Sequence, residues 1–311
     1  MIIADLGERD AMRGLTITLQ SKAHLSVSRG QLKVEPEGKP PKSIPLTDIW
    51  VLIIESHQVT VTTSCLSALT DSGIGVMTCG RNHMPNGLLL PLGAHSRHAA
   101  IVEDQLAIKK GLRNQLWKRI VERKIANQAS VLDEIGSDPK VVARLRGYAA
   151  TVRSGDSDNR EGAAAALYFR TLIKDGGRRD SVEGSALDYG YAVLRAGIGR
   201  EGVGGGWLVS RGIHHHSAEN AFNLIDDLIE PFRPIVDLMC VAYDLKDPLM
   251  PEDKRCLSTV FSHKMRMRGR LSPVDSCIAE TFESLRQAVK GADAGLLALP
   301  ELCGLEVAKC E

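Results

Sequence analysis

Hydrophobic and polar positions change their period near residue 80, and that change divides the chain. Before it, Leu15, Ile17 and Leu19 alternate with Thr16 and Thr18, and Val59-Thr60-Val61-Thr62 repeats the alternation, as half-buried strands do. Strands are expected at Leu15 to Leu19, His24 to Ser28, Gln31 to Val34, Ile49 to Glu55 and Gly75 to Thr78, with a short helix over Ser64 to Ser72. The segment EPEGKPPKSIP forms a turn or loop between two strands, because its prolines cannot donate to a central ladder. Later in the chain the apolar positions recur at helical spacing. Helices are expected at Ala99 to Lys124, Ile125 to Ile135, Pro139 to Ser154, Asp158 to Lys174, Ser181 to Gly197, Glu219 to Glu230, Pro234 to Leu245 and Asp275 to Lys290. The expected fold class is α+β: a small N-terminal β-domain (1–80), a linker rich in Gly, Pro, His and Asn (81–98) and a larger, mostly α-helical domain (99–311).

Composition adds three limits. With 311 residues and 43% hydrophobic content, the chain can fill the cores of two domains. It has no apolar run near the ~20 residues a membrane span needs and no signal pattern at its amino terminus, so a cytoplasmic protein is expected. Seven cysteines without a CxxC pair point to reduced thiols rather than a disulfide frame or zinc site.

The net charge is only +1, yet the positive charge is clustered. Lys109, Lys110, Arg113, Lys118, Arg119, Arg123 and Lys124 fall in one run, and Lys264, Arg266, Arg268 and Arg270 in another. Such runs are either solvated faces or contacts for a phosphate backbone.

The chemistry concentrates in GIHHHSAENAFNLIDDLIEPFRPIVD, from Gly212 to Asp237. Three histidines precede a helix whose apolar face carries Phe222, Ile225, Leu228 and Ile229, leaving Asn223, Asp226, Asp227 and Glu230 as a polar stripe. Imidazole beside carboxylate suits a divalent metal. Consecutive His214, His215 and His216 cannot all face one ion, so one or two are bystanders. Upstream, Glu161 shares a helix face with Ala165, Tyr168, Phe169 and Leu172; it is either an acid on an apolar stripe that something must pair with or the partner of an Asp158 N-cap in a capping box. The glycine-rich GREGVGGGWLVSRG meets neither nucleotide fingerprint and reads as a flexible loop.

Taken in order, NREGxxAxxYF, LDYGYAVLRAGI and GIHHHSxxNxFNLxxDLIEPFRPIVD resemble the CRISPR-associated integrase family, the universal adaptation protein of CRISPR systems. KxxLRNQLWKRIVERKIANQ and the β-rich opening resemble it too, in the form that accompanies single-effector systems; the region after Leu245 matches least.

The resemblance implies metal ligands at Glu161, His215 and Glu230, with Asp227 as the neighbouring acidic position. His214, His216 and Asp226 flank these positions, so a one-residue shift of register stays open. The implied cofactor is Mg²⁺ or Mn²⁺, which two carboxylates and one imidazole with open positions suit beside a phosphate. The implied reaction joins the 3′-hydroxyl of a captured DNA fragment to a CRISPR repeat by transesterification, with hydrolysis as the same chemistry when water attacks. The implied partners are double-stranded DNA, a second copy of the chain through the β-domain, and a small second adaptation protein. Whether the effector nuclease joins them stays open, as do two other readings: a metal-dependent nuclease or junction-resolving enzyme, and a non-catalytic DNA-binding subunit.

Overall fold

The computed structural model describes residues 2–3, 14–91, 95–175, 184–245 and 248–305. Ten strand and helix elements build the N-terminal part: β1 (Ile2–Ile3), β2 (Leu15–Leu19), β3 (Ala23–Ser28), β4 (Gln31–Pro36), β5 (Lys42–Pro45), β6 (Ile49–Ile54), β7 (Val59–Val61), α1 (Thr63–Asp71), β8 (Gly75–Cys79) and β9 (Pro85–Leu89). They form two sheets, ordered β1-β2-β6-β8-β9 and β5-β4-β3-β7. The three central strands β2, β6 and β8 run parallel, with Ile17 opposite Leu52 and Leu52 opposite Val76. Strand β9 lies within the stretch read as a linker; it pairs antiparallel with β8 and becomes the sheet's edge.

The sequence IWVLII of β6 is almost continuously apolar because both faces of this sheet are covered. Ile49 and Leu52 pack with Leu15, Ile17, Leu25 and Leu32 in the core between the sheets. Trp50, Val51 and Ile53 face the helices and join their core. The same double cover explains why β2 is buried along its whole length rather than on alternate residues. Its Thr18 hydroxyl donates to the Ser258 hydroxyl at 3.1 Å on a helix of the second part. A buried Glu55–Lys254 ion pair at 2.6 Å and an Arg200 bond to the Gly73 carbonyl at 2.6 Å tie the same two parts together.

The second part contains α2 (His98–Leu106), α3 (Lys110–Glu134), α4 (Pro139–Ala150), α5 (Arg160–Asp175), α6 (Ser185–Gly204), α7 (Asn223–Leu228), α8 (Arg233–Ala242), α9 (Pro251–Ser258), the hairpin β10 (Lys264–Met267) and β11 (Arg270–Pro273), and α10 (Val274–Gly291). Thus β-rich structure comes first and helices follow, as the α+β reading expects. The expected helix from Ala99 is interrupted before α3, where Lys109 is extended, and α3 then runs unbroken through residue 125.

Helix α6 continues into the glycine-rich stretch read as a loop as far as Gly204, beyond which residues 205–212 are turn and loop as expected, and the expected helix from Ser181 begins outside the described residues. The glycines serve packing: a Cβ on Gly197 would sit within 2.6 Å of Trp50 and Phe261, and one on Gly202 within 2.9 Å of Ile225. The reduced-thiol expectation holds for Cys65, Cys79, Cys240, Cys277 and Cys303, whereas Cys256 is disulfide-bonded. Cys310 lies outside the described residues. Among the described residues no helix is long and apolar enough to cross a membrane.

Candidate functional site

Glu161 sits in the first turn of α5, and its backbone placement is set by Asp156 rather than by the expected Asp158 cap. Both oxygens of Asp156 accept backbone N–H groups, from Arg160 at 2.8 Å and Glu161 at 3.0 Å. Asp158 instead pairs with the Arg160 guanidinium at 2.8 Å. The Glu161 side chain is therefore not closed into a capping box; it accepts from the Lys124 ammonium of α3 at 2.6 Å.

Glu230 follows α7 and is buried. Its Oε1 accepts from Arg233 Nε at 3.0 Å, one helical turn on. Its Oε2 lies 2.5 Å from Lys124 Nζ, so the buried carboxylate has a cation directly beside it. Burial alone would raise the Glu230 pKa; Lys124 and Arg233 outweigh it and hold the carboxylate below its ordinary value. Burial likewise pushes Lys124 down, and Glu230 and Glu161 reverse the direction, so its ammonium is held charged.

The polar stripe expected on the helix before Glu230 is not solvated. Asn223, Asp227 and Glu230 are all buried, and Asn223 donates to the carbonyls of Ser210, Ser217 and Asn220. Asp227 is enclosed by the histidine loop, accepting from the backbone N–H groups of Ile213 at 2.5 Å, His214 at 2.9 Å and His215 at 3.0 Å. It also contacts His215 Nδ1 at 2.7 Å. The sequence reading puts Asp227 among the metal ligands; with both oxygens engaged by the loop, its place is behind His215. Gly212 makes the wrap possible, since a Cβ there would overlap the His215 carbonyl and the Asp227 carboxylate.

The neighbouring positions have other partners. Asp226 takes the Arg195 guanidinium on both oxygens, at 2.7 and 2.9 Å. His214 stacks on Trp117 with ring centroids 4.2 Å apart, and burial lowers its pKa. His216 is exposed, with Nδ1 on the His214 carbonyl. His215 instead lines one open cleft with Glu230, Arg233 and Tyr191. Its bond to Asp227 raises its pKa, against burial.

Arg233 also covers the Tyr191 ring at 4.6 Å. Beneath it, Asp237 accepts from the hydroxyls of Tyr168 and Tyr191.

The chain belongs to the Cas1 family. The family model for CRISPR associated protein Cas1 matches residues 16–247. The CRISPR-associated endonuclease Cas1 of Neisseria meningitidis serogroup C (strain 8013) is 38% identical over 297 residues, covering 94% of this chain and 97% of that protein. Among solved structures, a casposase bound to integration product shares the fold with a TM-score of 0.72 at 18% identity, over 91% of this chain and 92% of that one. A Cas6-RT-Cas1--Cas2 complex has a TM-score of 0.71 at 14% identity, over 98% of this chain and 37% of that one.

A divalent metal fits the Cas1-family site by two observations: a side-chain cation standing between the Glu161 and Glu230 carboxylates, and an imidazole whose Nδ1 is fixed by a carboxylate. Among the described residues no three His, Cys, Asp or Glu side chains close around one point. Between Glu161 and Glu230 the Lys124 ammonium holds that space.

The basic residues are divided. Lys109, Lys110, Lys264 and Arg266 are exposed, while Arg113 bonds the Ile108 carbonyl and Lys118 pairs with Glu122. Arg119 bonds the Leu297 carbonyl, Arg123 pairs with Glu301 at 3.0 Å, and Arg268 with Glu280 at 2.9 Å.

Lys124 is the site residue that reading the basic run as one group obscures. Its signal is position: it lies four residues after Ile120 and seven after Trp117, on the buried face of α3.

Proposed function

We propose that this protein joins the 3′-hydroxyl ends of captured double-stranded DNA to the repeat of a CRISPR array by metal-dependent transesterification, and cleaves DNA when water is the nucleophile. The observation that carries the reading is the convergence of Glu161 and Glu230, from separate elements, on one cation, with His215 in the cleft that Glu230 lines. Glu161, Glu230 and His215 would hold Mg²⁺ or Mn²⁺, which when bound polarises phosphorus–oxygen bonds and stabilises developing charge. Asp227 fixes the imidazole so that Nδ1 faces inward and Nε2 remains for the ligand role. Arg233 holds the second oxygen of Glu230, orienting the carboxylate.

The names of the relatives support the same chemistry. The Neisseria relative is called an endonuclease, and a protein of the same fold is described bound to an integration product. The Cas6-RT-Cas1--Cas2 complex supports a Cas2-type second protein as partner. We assign dimerisation to the β-domain (1–80) and catalysis to residues 99–311, across the stretch 81–98. The exposed Lys109, Lys110, Lys264 and Arg266 are the first choices for phosphate contacts.

The test mixes the protein, its small partner, a short duplex with free 3′-hydroxyls and a plasmid carrying the repeat, with Mn²⁺ or Mg²⁺. Joined products that disappear with EDTA and with Glu161→Ala, His215→Ala or Glu230→Ala support the reading. Cut but never joined DNA makes the protein a nuclease. DNA binding that survives EDTA and Glu161→Ala, with neither joining nor cutting, makes it a binding subunit.

A further inference from the structure

We propose that Lys124 is the resident counter-cation of the Glu161–Glu230 pair and competes with divalent metal for it, so that metal enters only as the ammonium swings out. The proposal rests on the metal-site reading above and adds a control element to it.

The geometry is specific to this lysine. Its side chain is only 11% exposed, and it ends 2.6 Å from Glu161 and 2.5 Å from Glu230. These carboxylates come from α5 and from the segment after α7, so the ammonium is the bridge that holds the two elements together. Lys118 and Arg123, on the same helix, pair at half-exposed positions with single carboxylates, as ordinary surface ions do.

An ammonium and a hydrated divalent ion cannot both sit between the same two oxygens. Where the carboxylates need one cation to offset their burial, a metal must first displace the one already there. Lysine suits such a role: its charge is compact and its four-carbon stem is flexible, so the head can leave while the stem stays packed. A released ammonium beside a metal-bound phosphate would find a new partner in the DNA backbone, which links metal loading to DNA binding.

The experiment measures Mn²⁺ affinity by electron paramagnetic resonance on the full-length protein without DNA. Wild type should bind weakly, and Lys124→Met should bind roughly tenfold or more tightly because no cation has to be expelled. Lys124→Arg, which keeps the charge, should bind no tighter than wild type. Glu161→Gln should lose binding.

A second measurement needs no variant and so survives poor folding of Lys124→Met. Amine-reactive labelling of Lys124, read by mass spectrometry on wild type, should rise several-fold when Mn²⁺ is added.

If Lys124→Met binds Mn²⁺ no tighter while Glu161→Gln still abolishes binding, or if labelling of wild type stays flat as metal loads, the competition is wrong and the metal site stands. If no protein binds Mn²⁺ with or without DNA, both the competition and the metal-site reading fall.

Discussion

His215 Nδ1 stands 2.7 Å from Oδ1 of Asp227, a carboxylate with no exposed surface that also accepts three backbone N–H groups from the histidine loop. One side chain therefore shapes the loop and orients the imidazole it carries. Asp227→Ala orphans the three backbone donors and should cost about 2–4 kcal/mol of stability in denaturant titration. Asp227→Asn keeps the volume but offers an N–H₂ where an acceptor is needed. It should fold and lose strand joining by about 10–100-fold, as removal of a partner behind a metal ligand does. Wild-type joining rates in Asp227→Asn would separate this residue from the site.

Gly212 tests the same wrap from the other side. An added methyl would overlap the His215 carbonyl and the Asp227 carboxylate, neither of which is a free side-chain end. Gly212→Ala should destabilise by about 1–3 kcal/mol as an overpacked position does, and lose joining more severely than its thermal stability suggests. A variant with unchanged melting and unchanged joining would mean that the loop does not hold this conformation.

The two histidines should separate cleanly. His214 covers Trp117 face to face, with planes 5° apart, whereas His215 lines the cleft with Glu230. His214→Ala should lower stability by about 0.5–1.5 kcal/mol through lost ring contact and retain joining. His215→Ala should retain most of its stability and lose joining. The reverse pair of outcomes would shift the register by one residue.

How much of this was legible in the sequence follows from what each signal depends on. The change of period near residue 80 is local, so β-structure followed by helices could be read directly. Glu161, His215 and Glu230 came from motif resemblance, and the approach of Glu161 and Glu230 to Lys124 depends on tertiary packing that no spacing encodes. The polar stripe before Glu230 was legible but its burial was not, because helical periodicity reports polarity alone, whereas here a loop folds over Asn223 and Asp227 and satisfies them. The extension of α6 beyond the expected end at Gly197 was hidden by glycines whose poor helix propensity is overridden by close packing, as of Gly202 against Ile225. Lys124 was visible in place but not in role, since its partners lie 37 and 106 positions away.

Asp237 gives a prediction that depends on pH and on no substrate. It is buried, and burial pushes its pKa from 3.8 up to about 6, although the hydroxyls of Tyr191 and Tyr168 donate to it and Arg233 and Lys124 oppose the rise. Its folded pKa is thus above the unfolded value. Between about pH 4 and 6 the folded state holds more protons than the unfolded chain, so this group's contribution falls as pH rises through that window. The penalty is complete above about pH 6, on the order of 3 kcal/mol. Asp237→Asn has nothing to titrate there, but its amide offers a donor to one of the two tyrosine hydroxyls. It should match wild type to within about 1 kcal/mol near pH 4, where the Asp237 carboxyl is itself protonated and offers a donor in the same way, and should exceed wild type by about 3 kcal/mol by pH 7. Denaturant midpoints of the two proteins at pH 4, 5, 6 and 7 decide the matter, because other titrating groups cancel in the difference. Parallel profiles would mean that Asp237 keeps an ordinary carboxylate pKa, and that the two tyrosine hydroxyls hold it as a charged acceptor beneath Arg233.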